Sequence, residues 1–495
     1  MAIQPRVMCR DISRFLLIPV GMTVLSLPVC LISREWFAII PFLGTGLAAG
    51  ALSFFLYTVG KTAKEPPLRQ TFMTVALGWG AVAVAGALPI WWTAMAMGPE
   101  IPPTVFNFTN PLNALFESFS GFTSAGLTMT IRPSQLPTSL QWWRSFMQWV
   151  GGVGVIVLAV ALLEPTQSQY ALYEAEARQI RLRLTVTRTV RRIWSIYIGY
   201  TAVSVLLFRI FGMTWWEALN HSMCAIATGG FSITDGSMGS YGAATQISVI
   251  LVMICGAISF NVHDKMISRR QILTLWRDHQ HRLLFGLLII GTVVVGTEYY
   301  SFTGRFNWMA SAFQWVSALT TCGFATQSLQ FWSGTSKLLL SMAMIFGSAA
   351  GSTVGGVKLE RIQALWEALR WRLYRTTLSP RQMVLRQING EQLKPDQASR
   401  EIEDASVLAF MWVISIAVSV LILIPLVPTE YTLSDIIFES ASALGTSGLT
   451  VGISSPSLSW GGKCDLIMLM WIGRLEIIPV LMLLYAPWHA LLNRR

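Results

Sequence analysis

The sequence predicts an all-α polytopic membrane protein: four pseudo-repeats of helix–short loop–helix around one axis, preceded by two extra N-terminal transmembrane helices. Three observations predict this. Of the 495 residues, 53% are hydrophobic and only 12% charged, with a mean hydropathy of +0.54. That charged share is about half the usual one, and a soluble chain could not hide so much apolar surface. Ten apolar runs approach the roughly 20 residues needed to span a bilayer as a helix, near 14–33, 36–58, 72–98, 142–163, 193–213, 246–264, 283–303, 336–356, 404–427 and 464–487. Between later runs lie four semi-polar stretches, near 111–128, 215–232, 308–325 and 433–450, too short and polar to cross.

The first two runs form an N-terminal extension, 1–70, that carries no short stretch. Each later pair of runs encloses one, which divides the remainder into repeats at 71–192, 193–282, 283–400 and 401–495. In lipid the backbone must satisfy itself, so continuous apolar runs are expected as helices. With the N-terminus inside, 28 of the 36 lysines and arginines fall on inner segments, and all four short stretches fall outside. This positive-inside bias sets the orientation. It also accounts for the net charge of +11 without nucleic acid as a partner. The basic clusters at 178–192 and 361–386 are inner anchors and candidate docking points for a cytosolic partner. The first run shows no small-residue cleavage site, so no cleavable signal peptide is expected. The six cysteines form no C-x-x-C pair, which argues against a disulfide framework or a zinc site.

The four stretches align without gaps as ALFESFSGFTSAGLT (114–128), ALNHSMCAIATGGFS (218–232), SAFQWVSALTTCGFA (311–325) and IIFESASALGTSGLT (436–450). A glycine recurs at Gly126, Gly230, Gly323 and Gly448, with Glu117, His221, Gln314 and Glu439 nine residues earlier. A second glycine follows in the next run, at Gly151, Gly256, Gly347 and Gly473, after spacings of 25, 26, 24 and 25 residues. The copies are parallel, each starting and ending inside, which implies rotational pseudo-symmetry about the membrane normal. Four such copies leave an ion pore on the axis.

Each stretch reads as a pore loop: a half-helix, then extended backbone ending in glycine. The partial negative charge at a helix C-terminus favours a cation. Carbonyls of non-helical backbone can replace a cation's hydration shell. Glycine reaches positive φ without steric penalty and lets four strands approach. The candidate ion-binding residues are Thr123, Ser124, Ala125 and Gly126; Ala227, Thr228, Gly229 and Gly230; Thr320, Thr321, Cys322 and Gly323; and Gly445, Thr446, Ser447 and Gly448. None is charged, which favours a carbonyl cage for a monovalent cation over a carboxylate ring. The bland alternative is a set of re-entrant packing loops.

These loops, the extra N-terminal pair, GRLE (473–476), FGSAAGSTVGGVK (346–358) and WVGGVGVIVLAVALL (149–163) together resemble the Trk/Ktr/HKT superfamily of potassium uptake proteins, nearest to TrkH/TrkG-type membrane subunits. The resemblance covers essentially the whole chain. GTSGL (445–449) is more like the Ktr branch, and TSAGL (123–127) lacks a third hydroxyl residue before the glycine. The resemblance implies potassium uptake across a bacterial inner (cytoplasmic) membrane, a homodimer, and a cytosolic TrkA/KtrA-like nucleotide-binding regulatory subunit. It also implies an intramembrane gate at the Gly- and Ser-rich stretch holding Gly347, Ser348, Gly351, Gly355 and Gly356, together with Arg474 as a positive barrier below the filter. The plainer readings are small-residue helix packing for the stretch and a structural ion pair for Arg474, whose insertion in lipid costs about 2.5–3.5 kcal/mol. Glu476, two residues on, cannot face Arg474 on a helix.

Glu117 and Glu439 are expected to hydrogen-bond filter amides or raise cation concentration at the mouth, or, on the plainer reading, to tie loop backbone together as buried acids, and His221 is not expected to bind metal. The chain carries no strand followed by G-x-G-x-x-G, so any nucleotide is expected on the partner, with no cofactor in this chain. No nucleophile or spaced His/Asp/Glu motif suggests an enzyme. The rival functions are a symporter coupled to proton or sodium, or a less selective sodium/potassium channel.

Overall fold

A computed structural model describes residues 4–61, 68–98, 101–154, 186–377, 387–388, 391–393, 395–483 and 485. The inner half of the expected 142–163 span, the basic residues at 178–183, and residues 486–495 lie outside the described residues. The extension is a helical hairpin, α1 (Pro5–Ile32) and α2 (Trp36–Gly60). Its outer faces are apolar and uncovered, as at Ile32, Ile40 and Phe54, which suits lipid. Its inner side packs on the first repeat, where Gly78 of α3 (Leu68–Ala96) leaves room for the Phe15 ring.

Repeat 1 continues with α4 (Pro111–Phe122) and α5 (Thr138–Val153). Repeat 2 comprises α6 (Val186–Ile210), α7 (Trp215–Ile226), α8 (Ala243–Ala257) and α9 (Phe260–Arg269). Repeat 3 comprises α10 (His279–Thr303), α11 (Trp308–Leu319), α12 (Gly334–Phe346) and α13 (Leu359–Thr377). Repeat 4 comprises α14 (Pro395–Leu423), α15 (Leu433–Leu444) and α16 (Trp460–Arg474). The only strand pairing among the described residues joins Gln387–Ile388 to Glu391–Gln392.

The expected all-α architecture is therefore the observed one. One expectation fails. Among the described residues six helices are long and apolar enough to cross a membrane, namely α1, α2, α3, α6, α10 and α14. The second span of every repeat is broken instead. The helices α5, α8, α12 and α16 stop after 16, 15, 13 and 15 residues, each within two residues of the second repeat glycine. Fifteen residues rise only about 22 Å, short of the roughly 30 Å hydrocarbon core. Between α8 and α9 the chain turns by 100°. Elsewhere the break uses left-handed backbone: Gly154 at φ 94°, Gly347 at φ 61°, Glu476 at φ 57° and Ile477 at φ 67°.

The reason lies in what each half-span packs against. A Cβ on Gly151 would strike the Phe122 carbonyl, and one on Gly473 the Leu444 carbonyl; at Gly256 the neighbours are Thr228 and the Ile226 carbonyl. Each of these carbonyls belongs to the last turn of a pore helix. In repeats 1, 2 and 4 the second glycine thus lets the half-span press its backbone onto the end of the pore helix, whereas Gly347 of repeat 3 packs against the backbone of Gly355, Gly356 and Val357.

Candidate functional site

The four pore helices α4, α7, α11 and α15 are each 12 residues long and start from side-chain caps. Asn110 accepts from the Leu112 amide and Asn307 from the Ala310 amide. Thr214 with Glu217, and Thr432 with Asp435, form reciprocal capping boxes. From the second turn onward the helices are almost wholly buried, so they stand inside the protein, clear of lipid.

Each helix ends in the same way. Ser124, Thr228, Thr321 and Thr446 are left-handed, at φ 54°, 50°, 45° and 49°. Their amides donate to Gly121, Ala225, Ala318 and Ala443. The next amides, of Ala125, Gly229, Cys322 and Ser447, donate to Ser120, Cys224, Ser317 and Ser442. This is a Schellman-like end with a hydroxyl residue where glycine is usual. Left-handed backbone at a non-glycine costs roughly 1–2 kcal/mol each, and such strain gathers at functional sites. Sequence reasoning assigned positive φ to the glycines alone, although the Ser or Thr two residues before each glycine was a visible signal.

The glycines close a ring. Gly126, Gly230, Gly323 and Gly448 have φ 83°, 78°, 85° and 88°. A Cβ on Gly126 would run into the Gly229 carbonyl, one on Gly230 into Cys322, one on Gly323 into Ser447, and one on Gly448 into Ala125. The order 1→2→3→4→1 returns on itself, so the four loops surround one axis. Several hydroxyls at the candidate positions are tied to neighbouring backbone. Thr123 and Thr320 donate back to Phe119 and Val316, Ser124 donates to the Gln148 carbonyl, and the Thr321 hydroxyl accepts from the Gly355 amide.

Above the ring lies a cavity of about 600 Å³, lined by all four glycines and by the loop residues that follow them. The residues nine before each glycine fix these outer loops. Glu117 accepts from Thr128 Oγ1 (2.7 Å), the Met129 amide (2.8 Å) and Thr130 Oγ1 (3.1 Å). Glu439 accepts from Thr450 Oγ1 (2.7 Å) and from the Val451 (3.2 Å) and Ser454 (2.9 Å) amides. His221 Nε2 lies 3.0 Å from Ser232 Oγ, and Gln314 Nε2 donates to Thr326 Oγ1 at 3.4 Å. The hydrogen bonds of these acids are ties to the outer-loop backbone and hydroxyls, as the plainer reading expects. No cluster of His, Cys, Asp or Glu suited to a metal occurs among the described residues.

Two further supports were missed from sequence. Arg144 is buried, pairs with Glu117 at 2.6 Å, donates to the Ser232 carbonyl of repeat 2 at 3.1 Å and lies over the Phe231 ring. Ten residues before each second glycine stand Gln141, Gln246, Lys337 and Lys463. Each donates to a carbonyl of its own outer loop: Pro133 and Leu136, Met238 and Tyr241, Gln330, and Pro456. This register was readable once the second glycine was aligned, but amide and ammonium do not look alike in a sequence.

Beneath the ring the symmetry ends. Residues 347–358 form no helix, so the small-residue helix-packing reading of that stretch fails. The segment crosses under several repeats. Ser348 Oγ donates to Leu319 of repeat 3; Thr353 Oγ1 donates to Ile226 and Gly256 of repeat 2; a Cβ on Gly355 would strike Gly445 and Thr446 of repeat 4. The Phe260 amide holds the Gly351 carbonyl, and Gly347 and Gly356 pack backbone to backbone. Arg474 donates to the Thr353 carbonyl (3.3 Å) and to Gly151 and Gly152 at the broken end of α5. Its guanidinium also lies 5.6 Å from the Trp79 ring centroid. Glu476, which lies beyond the end of α16, pairs with Arg361.

Comparison with known proteins agrees with this architecture. A family model described as "TrkH: Cation transport protein" matches residues 42–488. An uncharacterized cation transporter of Methanocaldococcus jannaschii is 32% identical, over 89% of this chain and 87% of its own length. The Trk system potassium uptake protein TrkH of Halomonas elongata is 31% identical, over 90% and 91%. The crystal structure of the potassium transporter TrkH from Vibrio parahaemolyticus superposes with a TM-score of 0.81 at 26% identity, covering 97% of this chain and 98% of that one.

Proposed function

Because the chain belongs to the TrkH family of cation transport proteins, we propose that it carries potassium into the cell through the ring of four loops. The observation that carries the proposal is the closed cycle of glycine-to-carbonyl approaches. Four buried pore helices aim their C-terminal ends at that ring, each worth about half an elementary negative charge. Uncharged carbonyls suit a dehydrated monovalent ion better than a divalent one, and the relatives named above as potassium proteins favour potassium.

Potassium enters the outer cavity, sheds water into the ring formed by Thr123–Gly126, Ala227–Gly230, Thr320–Gly323 and Gly445–Gly448, and meets the 347–358 segment with Arg474 below. That segment and Arg474 act as the gate. Its hydrogen bonds to three repeats hold it under the axis, and a pull on α13, which follows it directly, is a direct way to withdraw it. A cytosolic TrkA/KtrA-like nucleotide-binding subunit supplies the pull, acting on a homodimer in the bacterial inner membrane with the N-terminus inside. The test is rescue of a potassium-uptake-deficient cell by this chain with and without its cytosolic partner. Growth at low potassium is expected only with the chain present. Failure at normal membrane abundance in the presence of the partner overturns the proposal.

A further inference from the structure

Three residues before each second glycine stand Gln148, Met253, Met344 and Met470. All four side chains are buried. Three repeats thus place an apolar thioether at this position, and the first places an amide. A buried amide must find partners, and those of Gln148 lie in the neighbouring loop. Its Oε1 accepts from the Phe231 amide at 2.9 Å, and its Nε2 donates to the Gly229 carbonyl at 2.5 Å. The orientation of the amide is fixed, because the Phe231 N–H can only donate.

The residue met by Gln148 is also the odd one of its set. The positions before the ring glycine are Ala125, Gly229, Cys322 and Ser447, so only repeat 2 lacks a Cβ there. Left-handed backbone is not the reason, since Gly229 is absent from the positive-φ positions. Space is the reason: a Cβ on Gly229 would lie 2.6 Å from both Cδ and Oε1 of Gln148. The two exceptions in the four-fold pattern therefore form one contact between repeats 1 and 2.

We propose that Gln148 is a positioning residue for ion selectivity: its amide holds the Gly229 carbonyl and makes the second quarter of the ring its weakest-field ligand. This rests on the reading of the ring as an ion filter. A hydrogen bond to a carbonyl draws electron density from it and fixes its place. A weaker, fixed ligand favours the larger, more easily dehydrated ion, so the contact biases the ring toward potassium and against sodium.

The test compares potassium uptake, and its inhibition by sodium, in Gln148→Met and in Gln148→Met/Gly229→Ala, each normalised to protein in the membrane. The double variant copies the thioether and Cβ pairing of the other three repeats, so its packing is sound even if the single variant accumulates poorly. Both are expected to lose roughly fivefold in potassium-over-sodium preference, the size of one hydrogen bond. The change should appear as a higher KM for potassium in the presence of sodium, larger in proportion than any change in maximal rate. A merely structural role predicts instead that the double variant returns to the original selectivity, and that result overturns the proposal. Gly126→Ser is measured beside them. If it shifts selectivity and the Gln148 variants do not, Gln148 is refuted alone. If none shifts, the filter reading itself is refuted.

Discussion

The upper and lower halves of the pore are built on opposite plans. Above, every repeat contributes the same parts: a 12-residue pore helix, a left-handed hydroxyl residue and a ring glycine. Below, one repeat supplies the crossing segment 347–358 and another supplies Arg474. Symmetry belongs where a spherical ion would be surrounded on all sides. On the proposed gating, asymmetry belongs where one movement opens or closes the path, because a single segment can move without dismantling the ring.

The largest effect is expected from damage to the symmetric half. Gly323→Ala places a Cβ against the Ser447 carbonyl and the Gly448 backbone, with no flexible side chain to yield. Potassium uptake should fall by more than roughly tenfold, since relief requires moving backbone or tolerating about 1–2 kcal/mol of left-handed strain. Gly126→Ser and Gly448→Ser should relax ion selectivity while protein still reaches the membrane, read as sodium competition with potassium uptake.

Damage to the asymmetric half should act in the other direction. Gly355→Ala pushes the crossing segment off Gly445 and Thr446, so partner-independent uptake should rise severalfold in cells lacking the cytosolic subunit. Arg474→Ala removes donors to Thr353, Gly151 and Gly152 and should raise flux by a smaller factor. A fall in flux at normal expression would show that Arg474 holds the pore together rather than closing it. The smallest effect belongs to the outer ties. Lys463→Met loses the bond to the Pro456 carbonyl, about 1 kcal/mol, and should lower the midpoint of thermal unfolding in detergent by a few degrees with transport nearly unchanged.

How much of this was readable from the chain divides along the same line. The symmetric half was legible because repetition reveals itself: Gly126, Gly230, Gly323 and Gly448 align without gaps, and a second glycine follows each at a spacing of 24 to 26 residues. The broken second spans were not. Hydropathy reports the solvent around a segment, and apolar residues continue past Gly256 and Gly473 whether or not the helix does. The break depends on packing against the ends of other helices, which no single run records. Gln148 stood in plain view as the one amide in a register of methionines, yet its meaning required Gly229, 81 residues away, to be placed beside it. The role of Arg144 was hidden because its partners, Glu117 and Ser232, come from a pore helix and from another repeat.

The most direct test of the ring is a crystal structure grown in thallium or rubidium, with the anomalous signal located. An anomalous peak on the axis between Gly126, Gly230, Gly323 and Gly448 is the predicted result. A transport-competent protein whose only bound ion lies away from those four residues would contradict it.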